Sequence, residues 1–229
     1  MRRSLLENMT APYTAAESWL YDSIVAPAVR DLGEVVLAEA ARSLPPHAKV
    51  LDVGCGGGHL ALELLRKSPD THVTGLDLSP DQIARATRRA QKAGLEGRAT
   101  FVEGSALDQP FDDEAFDAVI SVASIKHWPD QALGLRECVR VLRPKGTLLV
   151  FEADRGCALD DARRFVQRWR APRVLGPVAL AVFRTWVAGQ ALDLEDARSL
   201  LGELDLVEAS AERVAELPAL VLRGQKAPG

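Results

Sequence analysis

The chain has 229 residues, 47% of them apolar, which is enough to bury one substantial core and, at about 150 residues per domain, points to a single elaborated domain. Twenty-eight basic residues stand against thirty-two acidic ones, and the net charge of -4 excludes a general nucleic-acid surface, which needs a positive field. The first residues lack the apolar stretch of a signal peptide, and the longest apolar segment, 174–183, is interrupted by Gly176 and Pro177 and falls far short of the roughly 20 residues of a membrane span. A cytoplasmic protein with no membrane partner is therefore expected. Cys55, Cys138 and Cys157 are odd in number and scattered, which fits reduced thiols and offers no zinc spacing, and no cluster of carboxylates and histidines suggests another metal.

In chain order, residues 10–43 read as helices broken near Pro27 and Gly33, a lid ahead of the punctuation at Pro45 and Pro46. Val50 to Val53 is a buried strand that runs through Asp52 into Gly54-Cys55-Gly56-Gly57-Gly58, and Ala61 to Lys67 is a helix. Glycines at that density let the backbone turn tightly and let a ligand approach the main chain. His72 to Asp77 is a second strand, followed by a marked helix start in which Ser79 caps, Pro80 takes the first helical position and Gln82 completes a capping box. Gly94 ends that helix. Ala99 to Glu103, Phe116 to Val122 and Thr147 to Glu152 are further strands, with a helix over Gln131 to Leu142.

Between Asp154 and Gln190 two amphipathic helices are expected, one burying Ala162, Phe165, Val166 and Trp169, the other Val178, Val182, Phe183 and Trp186. Leu194 to Leu204 is a closing helix. Leu206 to Ala211 and Leu217 to Gly224 are strands joined too closely to be parallel. Alternating strands and helices make a doubly wound α/β sheet. The expected organisation is a lid over 1–47, a ligand-binding core over 48–153, a cap over 154–190 and a closing unit over 191–229.

The glycine loop departs from the dinucleotide pattern Gly-x-Gly-x-x-Gly, because His59 stands where the last glycine should fall. Asp52-x-Gly54-x-Gly56-x-Gly58 after a strand instead resembles the first motif of the class I S-adenosylmethionine-dependent methyltransferases. Asp77, 25 residues after Asp52, is placed to accept bonds from ribose hydroxyls, and Phe101 to Ala106 resembles the third motif, with Ser105 where the family usually has an acidic residue. Phe116 to Asp130 resembles the fourth motif and its trailing loop. Leu142-Arg143-Pro144-Lys145-Gly146 resembles the turn into the fifth strand, with Gly146 easing the reversal.

The resemblance implies a Rossmann-like, seven-stranded, mostly parallel sheet with an N-terminal helical lid and an inserted helical cap. It also implies S-adenosylmethionine as cofactor and a small-molecule substrate that is partly apolar. The cofactor contacts it implies are Asp52, Gly54, Cys55, Gly56, Gly58, Asp77, Leu78, Gly104, Ser105, Ala106 and Ser121. His127 is the expected general base, since an imidazole titrates near neutral pH. Trp19, Tyr21, Lys126, Trp128, Trp169 and Trp186 are expected at the substrate, where aromatic faces suit a sulfonium and an apolar acceptor and Lys126 suits an anionic group. Seven arginines against two acids over residues 155–184 fit an anionic substrate or an acidic carrier protein, and equally a solvated outer face. RNA or DNA methylation and a non-catalytic cofactor-binding role stay open as alternatives.

Overall fold

The computed structural model describes residues 33, 35–40, 42, 44–169 and 172–228. Trp19, Tyr21 and the break expected near Pro27 lie outside them. Seven strands form one sheet: β1 (Lys49–Val53), β2 (His72–Asp77), β3 (Ala99–Glu103), β4 (Phe116–Val122), β5 (Leu142–Ala153), β6 (Leu206–Arg213) and β7 (Ala219–Lys226). Their order is β3-β2-β1-β4-β5-β7-β6, and only β7 runs antiparallel to its neighbours. The expected doubly wound, mostly parallel sheet of seven strands is the fold observed.

Alternation along each strand sends side chains to two apolar layers. Leu51 and Val53 join Leu135, Cys138 and Val139 of α3 (Gln131–Val141) and Ala197 and Leu201 of α6 (Leu194–Gly202) on one face. Val50 and Ile120 join Leu62, Leu64 and Leu65 of α1 (His59–Lys67) and Val36, Leu37 and Ala40 of the helical residues 35–40 on the other. Strand order reverses between β1 and β4, so the crevice beyond their carboxyl ends is where an open sheet of this kind takes a ligand.

Local chemistry sets the helix ends, with some departures from expectation. Ser79 caps α2 (Pro80–Ala93) by accepting from the Gln82 N–H, and Gly94 closes it in the left-handed conformation. The capping box is only half built, because the Ser79 N–H donates to Asp77 and the Gln82 Oε1 has no hydrogen-bond partner. A full box forms instead at α6, where Asp193 and Asp196 exchange bonds with each other's backbone. The chain passes from α3 directly into β5 at Leu142, earlier than the expected start at Thr147. Lys145, not Gly146, takes the positive φ there, and Gly146 is needed because a Cβ would meet the Arg143 and Asp117 carbonyls at 2.8 and 3.1 Å.

The cap holds α4 (Leu159–Gln167), α5 (Gly176–Val182) and a π turn at Phe183–Val187. Phe165, Trp169 and Phe183 pack as a ring trio with centroids 5.2 to 6.5 Å apart, and their cluster includes Ala153 at the end of β5. The first expected apolar face is buried as read. The second is not: Phe183 goes inward, joined by Ala179, whereas Val178, Val182 and Trp186 are exposed.

Candidate functional site

The loop after β1 is held in place by the strand beside it. Gly54 and Cys55 N–H groups donate to the Leu76 carbonyl at 2.7 and 3.0 Å, and the Gly56 N–H donates to Asp77 Oδ2 at 2.8 Å. The other oxygen of Asp77 accepts from the Ser79 N–H at 2.9 Å. Asp77 thus fastens both the glycine loop and the start of α2. A carboxylate has about four acceptor positions, so capacity for ribose hydroxyls remains after two backbone bonds.

The glycines answer to different constraints. At Gly54, φ is 76° and a Cβ would lie 1.9 Å from Ser124 Oγ, so the loop after β4 occupies the space a side chain would need. Gly57 carries Arg89 against it, with the guanidinium donating to its carbonyl at 2.7 Å. Gly58 lies under the Phe101 ring, and the same edge of that ring presses on Gly75 of β2. Gly56 alone among the four combines a positive φ with no atom of the described residues within 4 Å of its Cβ position, and there the loop leaves room for a ligand.

Beside that room sits Asp52, buried and with its Oδ2 lacking a hydrogen-bond partner among the described residues. Burial, with the Asp77 carboxylate nearby, pushes its pKa up to about 7. Burial also raises the Asp77 carboxyl, against the bonds from Ser79 and Gly56, and takes the Cys55 thiol well above its ordinary range. A buried acid with an orphaned oxygen is matched by a cationic partner, and the ammonium at the amino-acid end of S-adenosylmethionine supplies one. The residues present therefore fit that cofactor: Asp52 would pair with the ammonium and Asp77 would accept from the ribose. If so, Asp77→Ala should weaken S-adenosylhomocysteine binding by about 1–3 kcal/mol in a calorimetric titration, and an unchanged affinity would remove Asp77 from the site.

Leu78 is exposed beside Asp77. Gly104 donates its N–H to the Asp77 carbonyl and leaves no space for a Cβ, which would meet Leu76 at 2.8 Å. Ser105 Oγ accepts from the Leu107 N–H at 3.1 Å, so the hydroxyl shapes its own turn and keeps its proton and one acceptor position for a ligand. Ala106 packs partly against the core, with its carbonyl taken by Gln109. Ser121 is wholly buried and donates to the Val53 carbonyl at 2.8 Å, so its hydroxyl proton ties β4 to β1 and is not available to a ligand.

The loop after β4 turns at Ala123, a non-glycine residue at φ 54°, and continues through a 3₁₀ turn at Ile125–His127. His127 is half-buried at the end of that turn, its N–H donating to the Ser124 carbonyl. Lys126 departs from the expected substrate role: its ammonium is buried, 2.8 Å from Glu152 Oε1, and donates to the Ala123 carbonyl. Trp128 is core, its ring seated on Gly134 and its indole N–H on Ser124 Oγ at 3.1 Å. Trp169 belongs to the cap's own cluster and Trp186 is exposed, so the three described tryptophans do not converge on one wall.

Sequence reasoning missed Ser124, Arg89 and Glu152. Only Glu152 left a signal, an acid closing an otherwise apolar strand.

Residues 50–146 match the family described as methyltransferase domain. The chain is 36% identical over 173 residues to the fatty-acid O-methyltransferase of Mycolicibacterium smegmatis, covering 76% of this chain and 56% of that protein. It is 43% identical over 104 residues to a sterol 24-C-methyltransferase of Aspergillus fumigatus, covering 45% and 27%. The chain thus spans about half, or less, of the length of these relatives. In fold it is similar to the crystal structure of a SAM-dependent methyltransferase from Aquifex aeolicus, with a TM-score of 0.68 and 16% identity over 93% of this chain and 99% of that one. With the Asp52 to Gly58 loop, Asp77 and the seven-stranded sheet, these matches make the chain a member of the class I S-adenosylmethionine-dependent methyltransferase family through its 50–146 core.

Proposed function

We propose that the protein transfers a methyl group from S-adenosylmethionine to a small, partly apolar acceptor, with anionic amphiphiles such as fatty-acid carboxylates the first class to try. The observation that carries this reading is the orphaned Asp52 oxygen beside the open Gly56 backbone. Support for an apolar acceptor comes from relatives named for fatty acids and sterols. Bound there, the cofactor supplies an electrophilic methyl on a sulfonium. Asp52 and Asp77 hold and orient, the loop from Ala123 to His127 covers the crevice, and His127 stands nearest in sequence to take a proton from a hydroxyl or amine acceptor. A carboxylate acceptor is already deprotonated at neutral pH and asks nothing of His127.

The test uses the Asp52 shift. With a folded pKa of about 7, the free protein holds a proton on Asp52 below that pH, and pairing with an ammonium favours the ionised form. Ligand binding then releases a proton, so affinity for S-adenosylhomocysteine should rise roughly tenfold between pH 6 and 8 and level off above. Asp52→Asn should flatten that dependence and weaken binding about tenfold at pH 8. The stability effect runs the other way. Between 3.8 and about 7 the folded state binds the proton that the unfolded state has released, so the Asp52 contribution to stability falls as pH rises through that window. A pH-independent affinity equal in both proteins would sink the assignment.

A further inference from the structure

The outer surface of the cap carries a second binding feature, separate from the cofactor crevice. α5 reads Gly-Pro-Val-Ala-Leu-Ala-Val, without a polar side chain on any face. Ala179 and Phe183 take the inward side, and Val174, Val178, Val182 and Trp186 follow one another at four-residue spacing on the outside. Val174 is 83% exposed, Val178 60% and Leu175 46%. Six of the nine exposed large apolar residues among the described part of the chain fall between Leu159 and Trp186. Contiguous exposure of this kind marks a surface that meets something.

The charge around the stripe indicates what. Arg155 pairs with Asp193 and Asp196, Arg163 with Asp160, and Arg164 with Asp161, so these three are neutralised at home and the basic excess is smaller than the sequence count. Arg184 is exposed within the apolar stripe. A short apolar face that carries an exposed arginine and ends in a tryptophan matches the interface of an anionic bilayer, where apolar groups sit among the acyl chains, a guanidinium meets phosphates and indole sits between. An acidic carrier protein would call for a field of unpaired arginines, and here apolar side chains dominate the face.

We propose that the cap docks on the surface of an anionic lipid membrane through Val174, Val178, Val182 and Trp186, with Arg184 at the headgroups. No described helix is long and apolar enough to cross a membrane, and docking requires none. The inference stands independently of the proposed methyl transfer.

The test is sedimentation of the full chain with vesicles of phosphatidylglycerol and phosphatidylcholine, beside vesicles of phosphatidylcholine alone. Recovery on the anionic vesicles is expected, falling at high salt and on neutral vesicles. Val178→Asp with Val182→Asp should lower partitioning by more than about tenfold, and Arg184→Glu by at least about fivefold. Because these side chains are exposed, S-adenosylhomocysteine affinity should be unchanged and reports that the variants are folded; Trp186→Ser gives the same reading should the double variant fail to fold. No recovery, equal recovery of the variants, equal recovery on neutral vesicles, binding only to an acidic carrier protein, or a dimer abolished by Val178→Asp with Val182→Asp would each overturn the proposal.

Discussion

Lys126→Met is expected to destabilise the fold by about 3–5 kcal/mol, the scale for removing one partner of a buried ion pair. Glu152 is wholly buried at the end of β5, and among the described residues the Lys126 ammonium is the cation paired with it. Two backbone N–H groups, of Lys126 at 3.3 Å and Ala153 at 2.8 Å, also point at the carboxylate. They moderate the loss but leave a net charge without compensation in a low-dielectric site. Urea midpoints should show the full loss for Lys126→Met, and Lys126→Met with Glu152→Gln should recover a large part, because the amide still accepts one of those bonds without the charge. If Lys126→Met costs less than 1 kcal/mol, or if the double variant is no better than the single, the pair is not what holds this loop to β5.

His127→Ala should slow methyl transfer to hydroxyl or amine acceptors by about 10²-fold, the lower range for losing a general base, while S-adenosylhomocysteine affinity holds. Transfer to a fatty-acid carboxylate should be affected far less, since that acceptor arrives ionised. The split between acceptor classes is the informative reading, because a structural histidine would slow all of them alike. The two predictions are linked through geometry: Lys126 and His127 share one 3₁₀ turn, so the Glu152 pair positions the turn that carries the imidazole.

What was legible in the sequence was what local chemistry writes. The strand running into the glycine loop, Asp77 at the end of β2, Ser79 and Gly94 at the two ends of α2 and the antiparallel closing strands all depend on neighbours a few residues away. The misread residues have distant partners. Ser121 finds the Val53 carbonyl 68 positions back, Lys126 finds Glu152 26 positions on, and no periodicity in either segment announces the match. Trp128 was read as a substrate contact because it sits in a loop, but the missing side chain at Gly134 makes a socket for its ring. The outward side of the second cap helix was misread for a different reason. Apolar spacing predicts an inward face only when polar residues define the outward one, and α5 has none.

The Phe101 ring touches the positions where Cβ atoms would stand at both Gly58 and Gly75, at 2.9 and 2.6 Å, and Cys55 Sγ crowds the latter at 2.7 Å. These four residues share a fixed volume contributed by three separate segments of the chain. Substitution at 75 is therefore conditional on the others: alanine there calls for smaller side chains at both 101 and 55, whereas position 58 stays closed even beside a smaller 101, because the Ala86 Cβ would stand 2.9 Å away and the left-handed backbone favours glycine. Divergence in this part of the molecule must proceed by compensated changes, and a redesign that treats the glycines as a loop motif alone will overlook the aromatic residue that enforces them.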